Sequence, residues 1–289
     1  YLDPRDIFAG IENPSRCVGL HFFSPAHIMK LLEVVTLPDT ATQTIARAFA
    51  LAKKLRKIAV LSGICDGFIG NRMLASYRRA AEYMLADGAL PEQIDDAMRA
   101  FGMAMGPFAA QDMSGLQIAE ANRRRQDDTR PASERYVTIS DQLCAQGRTG
   151  QRVGKGWYSY AEGSRTPTTD PLVTDMIEAY SSDNNITRTA FSSRDIQTQL
   201  LAALANEGAR IVEEGIAEDD AAVDMVKIYG YGFPRWRGGL MHYADTLGAA
   251  HIVERLTALS EEDPLVWAPS LVLRECAETG TSLAAYRCA

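Results

Sequence analysis

The stretch Gly19-Leu20-His21-Phe22-Phe23-Ser24-Pro25 decides how the N-terminal part of this 289-residue chain folds. Its apolar and aromatic side chains predict a β-strand over residues 17–23, and the Ser-Pro pair predicts a break after it. A second apolar run follows at residues 31–36 and contains Glu33. If the two runs are neighbouring strands, His21 and Glu33 can face each other.

His21 and Glu33 are therefore candidate catalytic residues. An imidazole titrates near neutral pH, so it can take a proton from a substrate hydroxyl and return it. A carboxylate behind the ring would fix its tautomer and stabilise the imidazolium. Glu33 itself needs a partner, because burying a lone carboxylate is costly. The alternative is an inert core histidine, which is common for a lone histidine on an apolar strand.

Residues 1–64 are predicted to be the last part of an α/β domain. The two strands are followed by a helix and by a last buried strand at residues 58–61. The apolar residues at helical spacing in that helix are Ile45, Ala48, Phe49, Ala52 and Leu55.

From residue 68 onward the pattern becomes helical. Asp66 is predicted to be the N-cap of the first long helix, and Glu82 is placed on that helix's polar face. Residues 161–190 are rich in Thr, Ser, Asp, Asn and Pro, which favours a linker around one short helix at 172–180. A second helical block follows from residue 191.

The two helical blocks repeat each other in sequence. The first copy reads Asp87-Gly88, Ile94-Asp95, Gly106-Pro107-Phe108, Asp112 and Gly115. The second copy reads Glu214-Gly215, Val223-Asp224, Gly239-Leu240-Met241, Asp245 and Gly248. This pattern predicts an internal duplication of one helical unit. We expect the second copy to support the site without supplying chemistry.

Composition excludes several classes of protein. A net charge of −7 argues against a general nucleic-acid surface. No apolar stretch approaches the roughly 20 residues that a membrane span needs. The five cysteines are odd in number and form no CxxC pair, which argues against a disulfide scaffold or a metal site. These features predict a cytoplasmic, bacterial protein with free thiols.

The strings at residues 19–25 and 32–35 and the string Asp66-Gly67-Phe68-Ile69-Gly70-Asn71-Arg72 resemble the L-3-hydroxyacyl-CoA dehydrogenase family. The late segment 229–239 resembles the multifunctional form. The closer resemblance, from end to end, is to the dehydrogenase part of multifunctional fatty-acid β-oxidation enzymes, which also carry an enoyl-CoA hydratase region.

The resemblance implies a mainly α fold. Its parts would be the C-terminal remnant of an NAD-binding Rossmann-like domain (1–64), a first helical dehydrogenase domain (65–160), the linker (161–190) and a second helical dehydrogenase domain (191–289).

The resemblance also implies NAD-dependent oxidation of an L-3-hydroxyacyl-CoA to the 3-oxoacyl-CoA. His21 would be the general base and Glu33 would orient it. Asn71 would help hold the substrate and the histidine. Ser24 stands where single-function members have an Asn near the nicotinamide end of NAD, and the resemblance implies a cofactor contact for it. The implied partners are the acyl-CoA substrate and either a thiolase subunit or a second copy of the chain.

No Gly-x-Gly-x-x-Gly turn, which would hold a dinucleotide pyrophosphate, occurs in the sequence. We interpret the chain, which begins at Tyr1, as a C-terminal fragment that alone binds NAD weakly and turns over little. Two alternatives are a catalytically silent binding or structural member of the fold and a dehydrogenase of a small hydroxy acid. The intact set of His21, Glu33 and Asn71 argues against the first, and the second helical block argues against the other.

Overall fold

The computed structural model describes residues 2–286, apart from the side chain of Leu265. The protein is mainly helical, with a short three-stranded sheet near the N-terminus. The strands are β1 (Gly19–Phe22), β2 (Leu31–Val35) and β3 (Ile58–Ser62). The α-helices are α1 (Pro4–Ile7), α2 (Thr42–Lys54), α3 (Gly70–Asp87), α4 (Pro91–Phe101), α5 (Pro107–Ser114), α6 (Leu116–Arg125), α7 (Ile139–Ala145), α8 (Pro171–Asp183), α9 (Ser193–Glu213), α10 (Asp220–Tyr231), α11 (Leu240–Leu247), α12 (Ala249–Ser260), α13 (Pro264–Trp267) and α14 (Leu271–Thr279). Short 3₁₀ helices lie at Pro14–Arg16, Gln151–Val153, Arg235–Arg237 and Leu283–Ala285.

The sheet has the order β1-β2-β3. Strand β1 is antiparallel to β2, and β2 is parallel to β3. All five residues of the central strand β2 are buried, which explains why it reads as a nearly continuous apolar run. The three predicted strands are confirmed, with ends that differ by one or two residues.

The chain divides into two compact units made of separated stretches. The first unit joins the N-terminal stretch as far as Ser76 to Leu201–Ala258 and to the C-terminal stretch from Pro269. The second unit consists of Tyr77–Leu200 and Leu259–Ala268.

Within the first unit, the sheet is packed against residues of the second helical block. The N–H of Gly63 donates to the carbonyl oxygen of Ile216 at 2.8 Å. Gly230 approaches the central strand so closely that a Cβ there would lie 2.6 Å from Cδ2 of Leu31. The buried apolar strand is thus covered by helix α10.

Two helix faces differ from what the sequence pattern suggests. In α2, Ala48 and Ala52 are buried, but Phe49 is 38% exposed, and Leu55, which follows the helix, is 47% exposed. The prediction for Glu82 of α3 is wrong, because it is buried in the second unit, where the hydroxyl of Ser140 in α7 donates to its carboxylate at 3.4 Å. Burial raises the pKa of Glu82 to about 7.

The segment interpreted as a linker is packed into the second unit. Its helix α8 is longer than the predicted 172–180. The hydroxyl of Ser181 donates to the carbonyl oxygen of Ala86 at 2.8 Å. Arg188 donates to the carbonyl oxygens of Leu85, Gly88 and Ala89, so it binds the C-terminal end of α3. These contacts join residues about a hundred positions apart, which composition cannot indicate.

Matching aspartates make matching contacts in the two helical blocks. Asp95 accepts two backbone N–H groups at the start of α5, at 2.9 and 2.8 Å. Asp224 accepts two at the start of α11, at 2.6 and 3.2 Å. Gly106 and Gly239 precede these helices. A Cβ on Gly106 would lie 2.2 Å from Oδ1 of Asp95, and a Cβ on Gly239 would lie 2.3 Å from Cγ of Asp224. Burial raises the pKa of both carboxyl groups to about 6.

A second pair of matching aspartates lies at the ends of these helices. Asp112 accepts the N–H groups of Trp157 and Tyr158 at 2.8 and 3.0 Å. Asp245 accepts two N–H groups of the 3₁₀ helix Leu283–Ala285 at 2.6 and 3.2 Å. In each block, therefore, the aspartate at the matching position of the repeat binds the backbone of a segment distant in sequence.

None of the helices in the described part of the chain is long and apolar enough to cross a membrane. The four cysteines within residues 2–286 are free thiols, and Cys288 lies outside the described residues.

Candidate active site

His21 and Glu33 are directly opposite each other on β1 and β2. Nδ1 of His21 donates to Oε2 of Glu33 at 2.6 Å, which confirms the predicted contact. The Glu33 side chain is fully buried, whereas 26% of the His21 side chain is exposed. A carboxylate only accepts, so the Nδ1 nitrogen must carry the hydrogen. Nε2 is then the ring nitrogen that can take a proton from outside.

The second oxygen of Glu33 caps helix α3. Its Oε1 accepts the N–H of Gly70, the first residue of α3, at 2.8 Å. The first N–H groups of a helix lack internal acceptors, and the positive end of the helix dipole favours an anion there. Both oxygens of the buried carboxylate are thereby satisfied. The prediction of Asp66 as the N-cap is wrong, because α3 begins four residues after it.

Two aromatic rings flank His21. The Phe23 ring centroid lies 4.6 Å from that of His21, and the Phe68 ring centroid lies 5.5 Å away. Phe68 has a positive φ of 49°, and so does the preceding Gly67, with φ 85°. A Cβ on Gly67 would lie 2.7 Å from the backbone nitrogen of Arg72, so this turn requires glycine. The turn brings the Phe68 ring to the imidazole.

Asn71 is the second residue of α3 and lies in its first turn. Its Oδ1 accepts the hydroxyl of Tyr231 at 3.0 Å. Among the described residues Asn71 and His21 share no hydrogen bond. They are linked through Glu33, because Glu33 binds both His21 and the backbone N–H of Gly70, the residue next to Asn71.

The sequence did not indicate Phe68, Gly70 or Tyr231 as parts of this site. Phe68 and Gly70 lie in the string 66–72, in which the resemblance implies a role for Asn71 only. Tyr231 lies in the 229–239 string, whose resemblance to multifunctional enzymes was the available signal.

Arg72 binds the start of α3 to Glu207 of α9 and to Glu214, the residue after α9. Its guanidinium donates to Glu207 at 2.6 Å and to both oxygens of Glu214 at 2.5 and 2.8 Å. Burial alone would lower the pKa of Arg72, but these carboxylates more than offset it and raise the pKa. The Arg72 hydrogen bonds lower the pKa of Glu214. Arg72 is thus a structural support for the residues beside it.

Ser24 is the contact to NAD that the resemblance implies. It lies two residues after the end of β1, and its exposed hydroxyl is able to donate and to accept a hydrogen bond. The sequence supplies no glycine-rich turn for the pyrophosphate. Within residues 2–286, no group of three or more His, Cys, Asp or Glu side chains is arranged to hold a metal ion.

Two family models match the chain. The NAD binding domain of 3-hydroxyacyl-CoA dehydrogenase matches residues 1–65, and the C-terminal domain of the same enzyme matches residues 67–160. The chain belongs to the 3-hydroxyacyl-CoA dehydrogenase family. The match to the NAD binding domain ends just before the turn that leads into α3.

Curated relatives of the chain include multifunctional enzymes. It is 41% identical over 257 residues to the peroxisomal bifunctional enzyme of Danio rerio. The matched region covers 85% of this chain and 36% of that enzyme. The chain spans between 36% and 40% of the length of the curated relatives it matches. It is homologous to their dehydrogenase region.

Solved structures of the same family share the fold. The dehydrogenase part of multifunctional enzyme 1 from C. elegans is 27% identical, with a TM-score of 0.68 over 95% of this chain and 62% of that one. The 3-hydroxybutyryl-CoA dehydrogenase of Escherichia coli K12 is 21% identical, with a TM-score of 0.77 over 96% of this chain and 74% of that one. The latter likeness concerns the fold alone.

Proposed function

We propose that this chain carries the acid–base part of an NAD-dependent 3-hydroxyacyl-CoA dehydrogenase, which oxidises the 3-hydroxyl of an L-3-hydroxyacyl-CoA to a ketone. The observation that carries the proposal is the buried Glu33 carboxylate, which joins Nδ1 of His21 to the N–H of Gly70. The family match and the resemblance to peroxisomal bifunctional enzymes support the same substrate class.

His21 is the general base of the proposed reaction. Its Nε2 takes the proton of the substrate hydroxyl, because Nδ1 is already committed to Glu33. The imidazolium that forms is stabilised by the Glu33 carboxylate, which the helix α3 N-terminus keeps in place. In the reverse direction the imidazolium returns the proton to the ketone oxygen. NAD, when bound, supplies the acceptor for the hydride that leaves C3.

Asn71 is proposed to hold the reacting oxygen. Its Oδ1 is engaged by Tyr231, which leaves the Nδ2 hydrogens as donors. A carbonyl oxygen accepts such a donor, and its developing charge in the reduction direction strengthens the hydrogen bond. We assign Ser24 to the nicotinamide end of the cofactor on the resemblance alone.

We also infer that the helical unit occurs twice, in residues 65–160 and 191–289, with 161–190 between them and 1–64 as the remnant of the NAD-binding domain. The matching carboxylate contacts of Asp95 and Asp224 support this organisation. A hydratase region in the whole protein, a thiolase or homodimer partner, weak NAD binding by this chain and a cytoplasmic location remain predictions.

The test measures binding of acetoacetyl-CoA by this chain, with nuclear magnetic resonance of the histidine rings as the readout. We expect addition of acetoacetyl-CoA to shift the ring signals of His21. Acetoacetate without CoA should bind far more weakly. In the whole protein, reduction of acetoacetyl-CoA by NADH should fall on the order of 10²–10⁴-fold in His21→Gln. His27→Gln is the matched control, because His27 is an exposed histidine six residues away.

Three results would contradict the proposal. Full turnover in His21→Gln would exclude His21 as the base. An unshifted His21 ring at saturating acetoacetyl-CoA would indicate a silent binding or structural protein. Equal affinity for acetoacetate would favour a dehydrogenase of a small hydroxy acid.

A further inference from the structure

We propose that Tyr231 is a positioning residue, which holds the Asn71 side-chain amide with its oxygen turned away from the substrate and its nitrogen available as a donor. The inference rests on the function proposed above. Tyr231 is the last residue of α10, in the helical block that lacks an Asn-Arg string of its own. That block would then contribute directly to the geometry of the site.

The amide of Asn71 has two orientations that differ by exchange of oxygen and nitrogen. A substrate ketone needs a donor, so the oxygen must point elsewhere. The Tyr231 hydroxyl lies 3.0 Å from Oδ1 and donates to it. With the oxygen engaged in this way, the Nδ2 hydrogens remain for the substrate.

The ring of Tyr231 is held so that its hydroxyl has little freedom to move. Its centroid lies 5.8 Å from that of Phe23 in an edge-on arrangement, with an interplanar angle of 84°. Nζ of Lys227 lies 5.0 Å from the ring centroid. Phe23 in turn contacts the ring of His21. The same aromatic contacts therefore fix Tyr231 and the proposed base.

Gly70 gives the ring its place. A Cβ at this position would lie 2.8 Å from both Cε2 and the hydroxyl oxygen of Tyr231. Real Cβ contacts are not that short, so any larger residue would displace the hydroxyl from Asn71. Because the N–H of Gly70 also binds Glu33, one glycine sets the position of both the base and the amide.

The experiment compares Tyr231→Phe with the wild-type chain in two measurements. The first follows the side-chain amide signals of Asn71 without ligand, which should shift when the hydroxyl is removed. The second measures the affinity for acetoacetyl-CoA, which should fall about three- to tenfold, the effect of one lost hydrogen bond between neutral groups. The melting temperature should stay nearly unchanged, because the ring is kept.

A double-variant cycle separates a positioning role from a structural one. If Tyr231 acts through Asn71, adding Tyr231→Phe to Asn71→Ala should cause no further loss of affinity. Tyr229→Phe, on the same helix, is the matched control and should bind like the wild type. A purely structural role would lower affinity equally in both backgrounds.

Failure of this inference is distinguishable from failure of the proposed function. A wild-type chain that does not bind acetoacetyl-CoA would refute the function, while the Asn71 amide signals would still test the contact. An Asn71 amide unchanged in Tyr231→Phe would overturn the inference. So would a double variant that binds more weakly than Asn71→Ala alone.

Discussion

Replacing Glu33 with Gln should move the proton of the neutral His21 ring from Nδ1 to Nε2. Glutamine keeps the shape of the side chain but has one acceptor and one donor where the carboxylate has two acceptors. The backbone N–H of Gly70 can only donate, so the amide oxygen must face it. The amide NH₂ then faces Nδ1 of His21, which has to accept.

The expected effect on stability is small, because both contacts survive in altered form. A hydrogen bond to a charged group contributes about 1.5–3 kcal/mol and one between neutral groups about 0.5–1.5 kcal/mol. Two such changes cost about 2 kcal/mol, and the neutral amide of the fully buried residue 33 recovers part of it. We expect the free energy of unfolding to fall by about 1 kcal/mol. In the whole protein, the rate of L-3-hydroxyacyl-CoA oxidation should fall on the order of 10²–10⁴-fold, because Nε2 would no longer accept a proton.

Long-range ¹H–¹⁵N correlation spectra of the histidine rings measure the tautomer directly and need neither substrate nor cofactor. The chain has four histidines, so His27, His242 and His251 serve as internal controls. The His21 signals are assigned by their loss in His21→Gln. Chemical denaturation of Glu33→Gln gives the change in the free energy of unfolding.

An Nδ1–H tautomer of His21 in Glu33→Gln would refute the reasoning, because something other than Glu33 would then set the proton. A neutral wild-type ring protonated on Nε2 would refute it equally. A loss of about 4 kcal/mol or more would show that Gln cannot satisfy Gly70 and His21 together.

Three further predictions concern stability, measured by chemical denaturation. Gly106→Ala should lower the free energy of unfolding by about 2–3 kcal/mol, because its Cβ would lie 2.2 Å from the Asp95 side chain. Gly147→Ala should lower it by only about 1 kcal/mol, because the Cβ would meet no atom within 4 Å and the cost comes from the positive φ of 69° alone. Burial lowers the pKa of Lys227 to about 7, so wild-type stability should gain up to about 1 kcal/mol per pH unit between pH 7 and 10 from this group. Lys227→Met should remove that gain and be most stabilising near pH 7 or below. Arg72→Leu should cost about 2–3 kcal/mol, because it removes the charged hydrogen bonds to the half-exposed Glu214 and to the mostly buried Glu207, which keeps an ion pair with Arg210 at 3.7 Å. Equal effects of the two glycine changes, a pH-independent effect of Lys227→Met, or a neutral Arg72→Leu would each contradict its prediction.

The contact of His21 with Glu33 could be predicted because it depends on local signals. Each residue lies in a short apolar run, and the Ser-Pro break between the runs favours neighbouring strands. A charged residue in the middle of an apolar strand must also find a partner. These two facts together leave few other candidates for Glu33.

The other contacts of the site depend on distant residues, which a local pattern does not reveal. Gly70 lies 37 residues from Glu33, and Tyr231 lies 160 residues from Asn71. Phe49 shares the apolar spacing of α2 but is exposed, because spacing does not say which elements cover a face. The repeat of Asp95 and Asp224 was detectable, whereas the N–H groups they accept were not.

A substitution of Gly70, at the start of α3, should disturb two contacts at once: the hydrogen bond to Glu33 and the position of Tyr231. Any side chain there presses on Tyr231, and any shift of the backbone that relieves the pressure draws its N–H away from Glu33. Variants at this position should therefore show no gradual decrease in activity with the size of the side chain. The base and the amide should be lost together, at the first added carbon atom.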